Sequence, residues 1–74
     1  MSDHKKQAGE AIYVRRLELG LTQTEVAERV RNRGVKTLSE SHLRKIETGV
    51  ATPTVVLGME IATVLDTDVY AIWG

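Results

Sequence analysis

Apolar residues recur at helical spacing along most of the chain, and this pattern predicts an all-α protein with five helices. Helix one is predicted from about Gln7 to Leu19, with Ile12, Arg16 and Leu19 at helical spacing and Gly20 as a left-handed terminator. The segment Met1–Gln7 lacks the pattern, so we expect it to be frayed. Residues 8–74 are expected to form a single domain.

Helices two and three each begin with a capping signal. Thr22 is followed three residues later by Glu25, which makes a capping box, so helix two is predicted from Thr22 to residue 32 or 33. Ser39 is a favourable N-cap for a third helix over Glu40–Glu47. Two capped helices in succession, the second short and polar on its outer face, are typical of a helix-turn-helix unit. In that unit the second helix enters the DNA major groove.

The last third of the chain is unusually apolar. Thr52 and Pro53 are predicted to open helix four, which continues to about Leu65, and a short fifth helix starts near Asp68. One core-facing stripe cannot account for all these apolar residues, so we predict a two-fold interface between copies of the chain. The alternative is a monomer whose last helix closes the core. The interface residues proposed are Val56, Met59, Val69, Ile72 and Trp73.

Chain length and charge distribution restrict the classes of function that the protein can have. A chain of 74 residues buries only about 60% of its unfolded surface, which leaves no room for a second domain or a deep substrate cleft. All ten Lys and Arg lie at or before Lys45 with six of the ten acidic residues, so residues 1–45 carry +4 and the remainder −4. This asymmetry favours a basic part that faces a polyanion, although two ordinary solvated surfaces would also explain it.

Several classes of protein are not expected. The longest apolar stretches are shorter than the roughly 18 residues of a membrane span, no signal peptide is recognisable, and we expect a cytoplasmic protein. Without cysteine the chain has no thiolate metal site, and His4 and His42 are too far apart in sequence to suggest a metal. We find no nucleophile with a base and no phosphate-cradling glycine loop, so neither an enzyme nor a cofactor is expected.

The capped helices also resemble a known family. The run Arg16–Ala27, the segment Leu43–Gly49 and Pro53 are similar to the lambda-repressor-like (Cro/CI, XRE) family of DNA-binding domains, and the likeness covers about residues 8–73. It implies a compact five-helix domain that binds double-stranded DNA through helices two and three. It also implies an ion pair that ties helix one to the end of helix three, formed by Arg16 and Glu47.

The resemblance assigns further residues to DNA. Positions that contact phosphate in the family correspond here to Gln23, Ser39 and Thr48. The residues expected to read bases are Glu40, Ser41 and Lys45, with His42 and Arg44 as flanking candidates. Their chemistry suits this, because Lys and Arg donate to guanine, Glu accepts from cytosine and Ser can do either.

The segment between helices two and three departs from the family, because it is several residues longer than the usual tight turn. We hypothesise that this lengthened turn reaches the DNA backbone and supplies part of the salt-dependent affinity. A solvated basic loop is the alternative. The residues proposed as phosphate contacts are Arg31, Arg33 and Lys36.

Two functions from different classes remain. The first is a sequence-specific transcription regulator, of repressor/Cro-like or controller type, that binds a pseudo-palindromic operator as a homodimer and either blocks or recruits RNA polymerase. The second is an antitoxin-like interaction protein that covers the apolar surface of Val55–Trp73 with a partner protein and binds DNA only secondarily.

Overall fold

The computed structural model describes residues 4–74, and Met1–Asp3 lie outside the described residues. The described chain folds into five α-helices without a strand, which confirms the predicted fold class. The helices are α1 (His4–Glu18), α2 (Gln23–Asn32), α3 (Glu40–Glu47), α4 (Val55–Val64) and α5 (Val69–Trp73).

The caps of α2 and α3 form as predicted. The Thr22 hydroxyl accepts the Glu25 N–H at 3.0 Å, and the Glu25 carboxylate accepts the Thr22 N–H at 2.9 Å, which closes the capping box. This bonding to the carboxylate lowers the pKa of Glu25. The Ser39 hydroxyl accepts the His42 N–H at 3.0 Å. Local hydrogen bonds therefore fix the start of both helices.

Two predicted helix boundaries are wrong. The first helix begins at His4 rather than Gln7. The exposed lysine and glutamine residues before Ala8 are good helix formers, so they extend the helix toward the N-terminus. Four of the seven residues expected to be frayed are thus helical. The fourth helix begins at Val55, and its cap is Thr54, whose hydroxyl accepts the Leu57 N–H at 3.2 Å. Pro53 precedes the helix instead of opening it.

The core lies where the five helices meet. α1 packs against α3 and α5, whereas α2 packs against α3 and α4. The largest fully buried side chains come from α1 to α4, from the connection before α3 and from the residue after α4, so α2 and α3 share one core with the helices behind them. These side chains are Ile12, Val26, Val30, Leu38, Leu43, Ile61 and Leu65.

The backbones of α1 and α3 approach each other very closely at Gly9. A Cβ atom built on Gly9 would lie 2.3 Å from the carbonyl oxygen of Glu47 and 2.5 Å from that of Ile46. Only glycine fits there without a shift of one backbone. This contact sets the distance between α1 and the C-terminal end of α3, which carries the candidate site.

Candidate nucleic-acid interface

α3 presents a polar face to solvent. Leu43, Ile46 and Glu47 point into the protein, and their burial fixes the rotation of the helix. Four of the five residues predicted to read bases are exposed, and the fifth, His42, is half-buried beside the core. The exposed four are Glu40, Ser41, Arg44 and Lys45.

The exposed face contains its own weak ion pair. Arg44 lies 3.9 Å from Glu40, one helical turn away, and both side chains are more than half exposed. Exposed pairs of this kind contribute about 1 kcal/mol or less. Both side chains are therefore available to exchange this contact for a base or a phosphate.

A buried ion pair supports the face from behind. The Arg16 guanidinium donates to both carboxylate oxygens of Glu47, at 2.8 Å and 3.1 Å, and its third contact is the Leu21 carbonyl at 2.9 Å. The two side chains are 9% and 4% exposed, and no buried side-chain polar atom of residues 4–74 lacks a hydrogen-bond partner. The bond to Glu47 raises the pKa of Arg16 against the opposing effect of burial. This is the pair that the family resemblance implies, and it joins α1 to the last turn of α3.

Gln23 is part of the same network, which sequence reasoning missed. Its side-chain amide donates to a Glu47 oxygen at 3.1 Å. The side chain is thereby held at the first turn of α2, where the backbone N–H groups of Gln23 and Thr24 have no acceptor within the helix. Donors at a helix N-terminus suit a phosphate, so this geometry is compatible with the phosphate contact predicted for Gln23.

The other two implied phosphate contacts differ in their chemistry. The Ser39 hydroxyl accepts a bond as an N-cap, so its proton stays available for a phosphate. The Thr48 hydroxyl instead donates to the Arg44 carbonyl at 3.0 Å, and the Thr48 N–H bonds to the same carbonyl. In the unbound protein Thr48 therefore caps the C-terminus of α3 with both of its donors.

Two of the three cations of the lengthened turn have partners within the protein. Arg31 donates to the Leu38 carbonyl at 2.7 Å, and Arg33 donates to Glu60 on α4 at 2.5 Å. Leu38 itself is fully buried, so the turn is ordered and anchored in the core. Arg33 and Lys36 are exposed and Arg31 is half-buried, so the phosphate contacts hypothesised for these three residues stay a prediction. The contact of Arg33 with Glu60 joins residues 27 positions apart, so no local pattern could predict it.

The apolar surface of α4 and α5 is only partly the one expected. Ile72 is 7% exposed and belongs to the core, so its assignment to an interface is wrong. It faces inward because α5 lies against α1 and buries that side of the short helix. The exposed part, here called the α4–α5 surface, includes a groove of about 340 Å³ beside Trp73. Its exposed apolar residues are Val55, Val56, Met59 and Tyr70, and Val69 and Trp73 are half-buried.

Comparison with known proteins confirms the resemblance. A family model described as helix-turn-helix matches residues 12–72, which include all of α2 to α4, α5 up to Ile72 and the second half of α1. The chain belongs to the lambda-repressor-like helix-turn-helix family. It is thus a DNA-binding regulatory domain, of a kind that is generally not enzymatic. Searches of curated proteins and of solved structures gave no match.

Two further observations concern residues 4–74. No helix there has the length and apolarity that crossing a membrane requires. The same residues bring together no group of three side chains suited to holding a metal ion.

Proposed function

We propose that this protein is a sequence-specific transcription regulator that inserts α3 into the major groove of a pseudo-palindromic operator and binds it as a homodimer. The observation that carries the proposal is the exposed polar face of α3, held in place by the buried pair of Arg16 and Glu47. A recognition helix must keep its side chains in a fixed register with the bases, and this ion pair supplies the rigidity.

The face offers both donors and acceptors to base edges. Lys45 and Arg44 suit guanine, Glu40 suits the amino group of cytosine, and Ser41 can either donate or accept. Phosphate contacts from Ser39 and Lys36 on one side of α3, and from the first turn of α2 on the other, would fix the docking geometry. Regulation would follow from occupancy of the operator, which either blocks RNA polymerase or brings it to the promoter.

Dimerisation through the α4–α5 surface is the second part of the proposal. Val55 and Tyr70 are each 80% exposed. The surface is separate in sequence from the polar face of α3 and carries no Lys or Arg, since all of these lie at or before Lys45. Burying such a patch against a second copy would remove apolar area from water. A two-fold axis here would place two recognition helices about 34 Å apart, one turn of DNA.

Selection of bound sites from random duplex DNA tests the base-reading assignment. Wild type is compared with Lys45→Ala and Glu40→Ala, and Glu18→Ala, at the exposed end of α1, serves as the control. We expect a two-fold symmetric motif, altered at one or two base pairs by each α3 variant and unchanged by the control. If no motif is enriched and the affinity depends on salt concentration but not on DNA sequence, sequence-specific recognition is rejected.

Sedimentation tests the dimer. A charge introduced by Val56→Glu or Met59→Glu should produce a monomer, while Leu17→Glu, on the exposed side of α1, should leave the dimer intact. If the protein remains a dimer with either α4 substitution, the interface lies elsewhere on the molecule.

The exposed apolar groove also supports the alternative, an antitoxin-like protein that binds a partner protein through the α4–α5 surface. Behaviour of the purified chain separates the two functions. A homogeneous dimer favours the regulator. Aggregation of the wild type that Val56→Glu relieves would favour a surface made for a foreign partner.

A further inference from the structure

The outward side of α1 carries apolar side chains that remain open to solvent. Val14 is 46% exposed and Leu17 is 52% exposed, although both belong to a regular helix. The buried residues of α1 lie on its other side, which packs against α3 and α5. We call the outward side the α1 outer face, and its members are Gln7, Glu10, Ala11, Val14, Leu17 and Glu18.

The carboxylates and the apolar residues of this face follow helical spacing. Glu10, Val14 and Glu18 are four residues apart, so they lie one above another along the helix, and Leu17 lies beside this row. A shallow depression runs along the first half of the face. It is lined by Gln7, Glu10, Ala11 and Val14. The α1 outer face is therefore an apolar stripe with a carboxylate at each end.

Both charged members of the face are acidic, whereas residues 1–45 as a whole carry +4. Glu10 is exposed, and the Glu18 side chain is 59% exposed although it lies 3.5 Å from Arg15. Arg15 is held at the α4–α5 connection, because it donates to the carbonyls of Leu65 and Asp66 at 2.9 and 3.2 Å. The face is thus a locally acidic surface within the basic part of the chain.

We propose that the α1 outer face binds a different protein through a basic amphipathic helix. Apolar side chains of that helix cover Val14 and Leu17, and its lysine or arginine side chains pair with Glu10 and Glu18. At 1.5 Å per residue the face from Gln7 to Glu18 is about 17 Å long, which matches about three turns of a helix. The inference goes beyond the proposed function, because it concerns neither base reading nor the α4–α5 surface.

The charges argue against the two ligands already proposed for this protein. DNA is a polyanion, and two carboxylates in the contact would repel it. A second copy that offered the same face would bring four carboxylates together. A second copy that offered a basic surface would form head-to-tail rings or filaments rather than a two-fold dimer. Glu18→Ala and Leu17→Glu therefore remain controls for DNA binding and for the dimer.

Titration of the full chain with synthetic peptides tests the proposal. The probe is a fluorescent peptide of about 18 residues, long enough to form a helix, with a leucine stripe flanked by lysines. A second peptide has glutamate in place of each lysine, and a third has the composition of the probe in scrambled order. Fluorescence anisotropy should show the probe binding at least about 10-fold more tightly than the other two peptides.

Substitutions on the face separate the apolar contribution from the charged one. Val14→Ser should weaken binding of the basic peptide about 10-fold, as expected for the loss of one buried valine side chain. The double variant Glu10→Lys with Glu18→Lys should weaken it by a similar factor at low salt and shift the preference toward the acidic peptide. In NMR spectra of the wild type, the amide shifts that the peptide changes should cluster on the α1 outer face.

Two control variants match these substitutions at other places. Val50→Ser removes the same side chain from a 71% exposed position after α3, and Glu28→Lys reverses an exposed carboxylate on α2. Neither control should change the affinity for the basic peptide. Circular dichroism checks that every variant is folded.

Three results would overturn the proposal. They are the absence of binding by the basic peptide, equal binding of all three peptides, and binding that Val56→Glu abolishes while Val14→Ser leaves it unchanged. The last result would place the peptide on the α4–α5 surface. Since the assay contains no DNA, its failure leaves the proposed function untouched. Absence of an enriched motif in the selection experiment, with peptide binding retained, would instead reject sequence-specific regulation and leave the α1 outer face as a protein-binding site.

Discussion

The close approach of α1 and α3 predicts that Gly9→Ala destabilises the protein. Gly→Ala inside a helix normally stabilises by about 1 kcal/mol, because alanine has the higher helix propensity. Here the added methyl carbon would lie 2.3 Å from the Glu47 carbonyl oxygen, while such contacts are essentially never shorter than 3.0 Å. The substitution therefore reverses the usual sign.

The magnitude follows from the displacement that the methyl group requires. The difference between 3.0 and 2.3 Å means that α1 and α3 must separate by at least 0.7 Å. All three clashing atoms near Gly9 belong to the backbone, so no side-chain rotation relieves the contact. Overpacking of this kind costs about 3 kcal/mol at the upper end of its range, which leaves a net loss of about 2 kcal/mol after the gain in helix propensity.

Urea unfolding followed by far-UV circular dichroism measures this loss directly. In thermal unfolding it corresponds to a melting temperature about 8–16 °C lower for a domain of this size. Gly58→Ala is the matched control, because its new methyl would lie 3.2 Å from a ring carbon of Trp73 that can move. The control should lose less stability. A Gly9→Ala protein as stable as the wild type would refute the packing distance between α1 and α3.

Three further predictions concern hydrogen-bonded residues. Glu47→Gln should lower the free energy of unfolding by about 3–5 kcal/mol in denaturant, because it leaves Arg16 buried without its counter-ion. The double variant Arg16→Met with Glu47→Leu should lose less stability than the sum of the two single variants. Additive losses would contradict the coupling between the two residues. The lowered pKa of Glu25 means that its capping box stabilises the fold above the ordinary value of 4.5 and that this stability is lost as the pH falls through the lowered pKa. In an acid unfolding titration the Glu25→Gln variant should therefore lose less stability than the wild type over this pH range. An identical acid transition in the two proteins would contradict a stabilising role for the Glu25 carboxylate. Arg31→Ala should speed amide hydrogen exchange in the lengthened turn and cost about 1 kcal/mol, whereas unchanged exchange with a flatter salt slope would make Arg31 a DNA contact instead.

Local signals in the sequence were sufficient for the helix-turn-helix itself. A capping box involves residues three apart, and helical periodicity is visible within a few turns, so Thr22, Glu25 and Ser39 revealed where α2 and α3 begin. The same locality explains the errors at α1 and α4. Where α1 begins, and whether Thr52 or Thr54 caps α4, depend on small differences in free energy that local propensity does not resolve.

The pairings that shape the candidate site were decided by tertiary structure. Arg33 meets Glu60 across 27 positions, and Gln23 meets Glu47 across 24. Only the packed helices bring such side chains within hydrogen-bonding distance.

The apolar end of the chain shows the same division. Its composition indicated surplus hydrophobic surface, which Val56 and Met59 do expose. A five-residue helix with apolar residues on most sides does not specify which of them faces inward. The packing of α5 against α1 buries Ile72, and that choice depends on the position of another helix rather than on the order of residues within α5.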